Sequence, residues 1–305
     1  MGRNRAISGK RKITKRPTKE FFLETSVHIK KAIGHRLTKE NISHVIGNYH
    51  CWSSYYIFGE YKCSLISALI DFYFLIEQEE SPSEAMLALS EEYSIRKLKF
   101  DISGLAHLIK DNEFKDDKTH CIIELERLIE NAVDAFLITV NEGKNLIANE
   151  MCCPIGKTPL IQDEKLTTKE NYELFKQAMA CRKDMEKCKI KEFWKKHKGH
   201  LKSLTSDGAG DEYKDNKAFC GFKETYDKIL KDNINAKGKN CAIMGDTIIA
   251  LECPENKTLL TYDHSFQALC GILNKEYEIL PSLAELKKKL KDQEIETLQK
   301  TITHL

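Results

Sequence analysis

A recurring unit constrains the fold of this chain more than any other sequence feature. In each occurrence a short apolar segment is followed by an amphipathic pattern with helical spacing, and Glu24 and Asp263 stand at two of these junctions. Apolar strands that alternate with helices predict a parallel sheet covered by helices on both faces. The sequence therefore predicts an α/β protein with a three-layer α/β/α fold and a central, mostly parallel sheet. The predicted strands lie at 21–23, 50–54, 257–263 and 277–280.

The flanking segments differ in charge from the predicted domain, which we place at residues 20–282. Residues 1–19 form a basic tail without an acidic side chain, and a charged helix at 283–305 ends the sequence. A basic tail of this kind cannot bury a core but would bind phosphate groups, and a solubilising role is equally consistent with it.

Cysteine content and apolar pattern predict a cytoplasmic protein that does not cross a membrane. The chain has eleven cysteines, an odd number, and no apolar stretch follows the basic N-terminus as a secretory signal requires. We therefore expect reduced thiols. The longest apolar run, at 66–76, is interrupted by Ser67 and Asp71. It falls short of the roughly 20 residues needed to span a bilayer.

Two basic segments are candidates for nucleic-acid binding. The tail is one, and the other is a helix at about 182–202 in which lysines are interleaved with aromatic residues. Lysines attract phosphates and an exposed indole can stack on an unpaired base, whereas a solvated lysine-rich face with a buried tryptophan is the structural alternative. The candidate contacts are Arg11, Lys12, Lys15, Arg16, Lys191, Trp194, Lys195, Lys196 and Lys198.

Acidic residues stand where predicted strands end or helices begin. Glu24 and Asp263 follow strands, Asp246 stands at a helix start, and Glu60 lies about two turns into the helix after the second strand. The carboxyl ends of parallel strands share one edge of a sheet, so we expect these side chains to converge. Converging carboxylates repel one another unless a hard divalent cation neutralises them, which predicts a Mg²⁺ or Mn²⁺ site. The alternative is that Asp246 and Asp263 serve only as helix caps.

The segments that carry these acids resemble, in order, the four motifs of PIN-domain nucleases. Residues 22–26 look like the opening strand, 53–60 like the second motif with its helical glutamate, and 245–250 like the third. Residues 259–266 are similar to the fourth motif, in which Thr-x-Asp-x-x-Phe is characteristic. Two features depart from the family. Glu24 replaces the usual Asp, and the long interval between the second and third motifs predicts a large helical insertion at about 95–238.

The resemblance implies a PIN-like nuclease fold with metal-dependent hydrolysis of phosphodiester bonds. Glu60 would be a further ligand or would position the attacking water, while Ser26 and Thr261 would support the site by hydrogen bonds. The implied catalytic and metal-binding residues are Glu24, Glu60, Asp246 and Asp263.

The expected activity is that of an endoribonuclease on single-stranded RNA, such as a toxin or antiviral defence effector controlled by an inhibitory or activating protein partner. A catalytically weakened RNA-binding or scaffolding module is the first alternative, favoured by Glu24, and a DNA or flap nuclease is the second. The resemblance also implies a homo-oligomer. The helix at 283–298 could supply its contacts, although the apolar residues of this helix are equally suited to packing on its own sheet.

Overall fold

The sheet is the centre of the structure. The computed structural model describes residues 19–47, 49–79, 81–92, 117–148, 154–179, 190–205, 226 and 244–303. Within these ranges five parallel strands form one sheet, which confirms the predicted α/β class with a parallel central sheet. The strands are β1 Glu20–Leu23, β2 His50–Ser54, β3 Leu146–Ile147, β4 Thr258–Thr261 and β5 Tyr277–Ile279.

The strand order reverses its direction beside β1. In the sheet the order is β3-β2-β1-β4-β5, so the chain builds outward from β1 in one direction and later returns to build outward in the other. Connections on either side of β1 therefore run in opposite directions. Ligands of open parallel sheets bind at such a reversal, outside the carboxyl ends of the strands. Here the reversal lies between β1 and β4.

Helices connect the strands and cover the sheet. A π-helical turn at Lys62–Ile66 joins α3 to α4, so the helix predicted after the second strand is continuous but changes its hydrogen-bond spacing midway. The helices are α1 Thr25–Ile33, α2 Arg36–Ile46, α3 Tyr55–Tyr61, α4 Ser67–Gln78, α5 Pro82–Glu92, α6 Lys118–Thr139, α7 Pro154–Lys157, α8 Thr168–Ala178, α9 Ile190–Lys196, α10 Lys198–Thr205, α11 Gly245–Glu252, α12 Ser265–Ile272 and α13 Leu283–Thr303.

Alternation along β1 divides the core into two layers. Phe21 and Leu23 pack with Ile42 and Ile46 of α2 on one face of the sheet. Phe22 belongs to the larger cluster on the other face, which includes the buried side chains of α3 and α4. Because successive side chains of a strand point to opposite faces, one short apolar strand is enough to anchor both helical layers.

Part of the segment predicted as an insertion at 95–238 belongs to this core. β3 pairs with β2, and α6 packs against α1 and α4. Phe136 of α6 stacks on His28, with 3.9 Å between the ring centroids. The sequence did not predict β3, because a two-residue strand leaves no alternating pattern. A short helix, α7, also lies in this segment.

No helix in the described ranges is long and apolar enough to cross a membrane. The predicted C-terminal helix begins at Leu283 as expected and extends to Thr303. It contacts α2. The predicted basic tail lies outside the described residues except for Lys19.

Candidate acidic site

The site lies where β1 and β4 end. Glu24 directly follows β1, and its backbone N–H donates to the carbonyl oxygen of Leu260 in β4 at 3.1 Å. Asp263 stands two residues beyond β4, so both acids lie at the carboxyl edge of adjacent strands. This is the point at which the strand order reverses, and the topology alone therefore favours it as a binding site.

Glu24 is a buried carboxyl group among hydroxyls and other acids. It is 7% exposed, and its Oε2 accepts hydrogen bonds from Ser26 Oγ and from Thr261 Oγ1, the latter at 3.3 Å. Burial raises the pKa of Glu24 to about 7. The hydrogen bond from Ser26 opposes this rise, whereas repulsion from Asp246 and Glu60 adds to it. Both hydroxyls predicted to support the site do contact Glu24.

Glu60 reaches the site from α3. Its Oε2 accepts a hydrogen bond at 2.7 Å from Oγ1 of Thr25, the residue that follows Glu24 in the chain. The first residue of α11, Gly245, lies against the same carboxylate. A Cβ atom at this glycine would stand 2.7 Å from Glu60 Oε1 and 3.3 Å from the hydroxyl oxygen of Tyr56. The start of α11 therefore packs directly against the Glu60 side chain, and a larger residue at position 245 would displace that carboxylate.

Ser265 links Asp246 to Asp263. Its hydroxyl donates to Asp246 Oδ2 at 3.1 Å, and its backbone N–H donates to Asp263 Oδ1 at 2.8 Å. Burial raises the pKa of Asp246 to about 6, repulsion from Asp263 adds to the rise, and the hydrogen bond from Ser265 opposes it. Thr261 Oγ1 also accepts the backbone N–H of Asp263 at 2.9 Å, so one hydroxyl contacts both strand-end acids.

The structure thus brings the four predicted acids together as a series of neighbours. Glu24 is electrostatically coupled to Glu60 and Asp246, and Asp246 is coupled to Asp263. The capping alternative describes one contact, since Asp263 accepts the backbone N–H of Ser265 near the start of α12. It does not describe Asp246, which accepts its hydrogen bond from the hydroxyl of Ser265.

The donor set fits a divalent cation chemically but does not form a closed cage. Among the described residues, no group of three or more His, Cys, Asp or Glu side chains is arranged to hold a metal ion. Mg²⁺ in phosphate-processing sites commonly takes only one or two protein carboxylates, with water and substrate phosphate completing its shell. Carboxylate oxygens that repel one another are the ligands such an ion neutralises.

The predicted nucleic-acid contacts have mixed outcomes. Lys195, Lys196 and Lys198 are exposed at the junction of α9 and α10, and α10 contacts α12, the helix that follows Asp263. Trp194 is only 6% exposed and packs edge-on against Phe193. Its indole is part of the core, so the prediction that it stacks on an unpaired base is wrong. The alternative, a solvated lysine-rich helix face with a buried tryptophan, describes this helix. Arg11, Lys12, Lys15, Arg16 and the Lys191 side chain lie outside what the structure describes.

Several residues of the site were not predicted. Thr25 and Ser265 each stand within two residues of a predicted acid, and that adjacency was a usable signal. Gly245 and Tyr56 meet Glu60 through packing between helices that the sequence does not specify. Lys30, whose Nζ lies 3.5 Å from the ring centroid of Tyr262, was missed for the same reason.

Comparison of the chain with family models, curated proteins and solved structures found no match. The resemblance to PIN-domain nucleases consequently rests on the four sequence motifs. The site geometry is independent of that resemblance, because it follows from the strand order and the contacts between side chains.

Proposed function

We propose that the protein is a divalent-metal-dependent endonuclease of the PIN type that hydrolyses phosphodiester bonds in single-stranded RNA. One observation carries the proposal: Glu24, Glu60, Asp246 and Asp263 meet where the strand order of a parallel sheet reverses. Buried acids with raised pKa values at the carboxyl edge of a parallel sheet are typical of functional sites, because their mutual repulsion does not stabilise the fold.

The chemistry assigned to these residues follows from their surroundings. Glu24, Asp246 and Asp263 would hold Mg²⁺ or Mn²⁺, and Glu60, oriented by Thr25, would be a ligand or position the attacking water. When bound, the ion would lower the pKa of a water molecule and neutralise charge that develops on the phosphodiester. The hydroxyls of Ser26, Thr261 and Ser265 would keep the carboxylates oriented, as hydrogen-bonding groups around a metal site commonly do.

Basic groups near the acidic site support a nucleic acid as the substrate, and the resemblance to PIN-domain nucleases makes RNA the proposed one. The exposed lysines between α9 and α10 belong to a segment that contacts α12, and the basic tail adds further positive charge. The cysteines in the described part of the chain are free thiols, in keeping with the proposed cytoplasmic location. A toxin or defence role, a regulatory partner and a homo-oligomer remain parts of the proposal that follow from the resemblance.

The proposal is tested by cleavage of matched single-stranded RNA and DNA with Mn²⁺, Mg²⁺ or EDTA. Asp263→Asn removes an exposed acid, so the variant should fold normally while cleavage falls by about 100-fold or more. Asp292→Asn, the same change at an exposed position on α13, is the matched control and should cleave as the wild type does.

Each outcome distinguishes the candidate functions. Metal-dependent cleavage of RNA that Asp263→Asn abolishes supports the endoribonuclease, and equal or better cleavage of DNA supports the DNA nuclease. The weakened-module alternative, favoured by Glu24 in place of the usual Asp, predicts RNA binding without cleavage. Cleavage that persists in EDTA or in Asp263→Asn would contradict the metal-dependent mechanism.

A further inference from the structure

Lys30 lies at the rim of the acidic site. It follows Ser26 by one turn of α1, so the two side chains share a helix face, and Ser26 donates to Glu24. Long side chains on a helix lean back towards its N-terminus, which here is the end next to Glu24. The Lys30 ammonium group is 3.5 Å from the ring centroid of Tyr262, which stands between Thr261 and Asp263.

The ammonium group is electrostatically coupled to the acids. Partial burial lowers the pKa of Lys30, and the negative charge of Glu24 opposes this by raising it. The ring of Tyr262 attracts the ammonium group through a cation-π contact. Lys30 is therefore a positioned positive charge beside a set of negative ones.

Neighbouring lysines contact other parts of the chain. Lys31, the next residue of α1, donates to Thr139 Oγ1 at the end of α6. Lys62 is buried and donates to the carbonyl oxygens of Gly156 and Thr158. These two side chains join one helix to another part of the chain. Lys30 contacts the strand-end segment that carries Asp263 through the ring of Tyr262.

A site made of carboxylates repels a polyanion, so a strand of nucleic acid needs a compensating positive charge nearby. We propose that Lys30 binds a non-bridging phosphate oxygen of the nucleic-acid strand at the acidic site, with Tyr262 holding the lysine in place. The assignment of that phosphate to an RNA backbone rests on the proposed function. Preorganisation by the aromatic ring reduces the side-chain entropy that binding would otherwise cost.

The test measures binding of a short single-stranded RNA in Mg²⁺, in an Asp263→Asn background where cleavage is blocked. Lys30→Gln should weaken binding by about tenfold and should lower the slope of log affinity against log salt by about 0.7, the share of one phosphate contact. Lys31→Gln, on the same helix, is the matched control and should change neither value. Lys30→Arg should restore both, because it keeps the charge.

A merely structural lysine would not change the salt slope, so this measurement separates the two roles. If Lys30→Gln does not fold, Tyr262→Leu serves instead, since it removes the ring and keeps the charge, and it should also weaken binding. Equal binding by the Lys30→Gln and Lys31→Gln variants would overturn the inference even if the wild type cleaves RNA. Weaker binding by Lys30→Gln, together with a wild type that cleaves no nucleic acid, would refute the nuclease and leave the phosphate contact standing.

Discussion

The two ends of β1 place a glutamate in opposite electrostatic surroundings. At the amino end, Glu20 forms an ion pair with Lys257, which is buried and whose Nζ lies 4.0 Å from the ring centroid of Trp52. At the carboxyl end, Glu24 is buried beside Asp246 and Glu60. At one end of β1 the Glu20 carboxylate is therefore neutralised by a cation, and at the other end the Glu24 carboxyl group lies beside groups of like charge.

Two further contacts pair polar groups near the amino edge. Lys275, which precedes β5, donates to the carbonyl oxygen of Cys253 at 2.8 Å, and Thr258 donates to Glu276 at 3.1 Å. Polar groups at this edge are paired in a manner that stabilises the fold. Repulsion at the other edge works against stability. Proteins retain such conflicts where function requires them, so the difference between the edges supports placing the function at the carboxyl end.

The largest predicted effect concerns the ion pair at the amino end. Lys257→Met should lower the free energy of unfolding by about 3 kcal/mol, because it leaves the partly buried Glu20 carboxylate without its partner. The matched control is Lys19→Met. Lys19 pairs with Glu278 at 2.7 Å, but both side chains are well exposed, and the cost should stay below about 1 kcal/mol. Urea unfolding measures the loss of stability in both variants. Equal losses would show that the Glu20–Lys257 pair stabilises the fold no more than an exposed ion pair does.

The sequence predicted the edge at which the acids lie, but not how they are held there. Glu24 and Asp263 follow apolar strands, and parallel pairing then leaves little choice about where they meet. The contact between Gly245 and Glu60 depends on how α11 packs on α3, which is not a local property of either segment. Trp194 was ambiguous for a related reason: a lysine-rich helix has the same pattern whether its indole faces the core or the solvent.

The second prediction concerns pH at the carboxyl end. The pKa of Glu24 is raised from 4.5 to about 7, and that of Asp246 from 3.8 to about 6. Between the pKa values of the unfolded chain and those of the native protein, the metal-free native protein holds protons that the unfolded chain has released. The contribution of these groups to stability is therefore full at low pH and is lost as the pH rises towards 7, by about 3 kcal/mol for Glu24.

Urea unfolding in EDTA at about pH 5 and about pH 7.5 tests the sign. Glu24→Gln should lose much of this pH dependence, whereas Glu255→Gln, at an exposed position, should behave as the wild type does. Mn²⁺ should raise the stability of the wild type more at the higher pH, because only ionised carboxylates bind it. A Glu24→Gln variant with an unchanged pH dependence would mean that the two ends of β1 do not differ as proposed.

The smallest predicted effect separates the position of Glu60 from the stability of the fold. Gly245→Ala would place a Cβ atom 2.7 Å from Glu60 Oε1, and the end of that flexible side chain should move away rather than the helices. Cleavage should then fall by about tenfold, the scale of losing a group that orients a metal ligand, with less than about 1 kcal/mol of destabilisation.

Gly199→Ala is the matched control, since a Cβ atom there meets nothing within 4 Å. It lies in α10, so alanine should leave cleavage unchanged and stabilise the protein by up to about 1 kcal/mol. A Gly245→Ala protein that cleaves as well as Gly199→Ala would remove Glu60 from the site. Displacing one of several mutually repelling carboxylates should change the free energy of unfolding little. A large loss of stability in Gly245→Ala would therefore mean that the packing of α11 on α3 contributes to the stability of the fold, as the ion pair at the amino edge does.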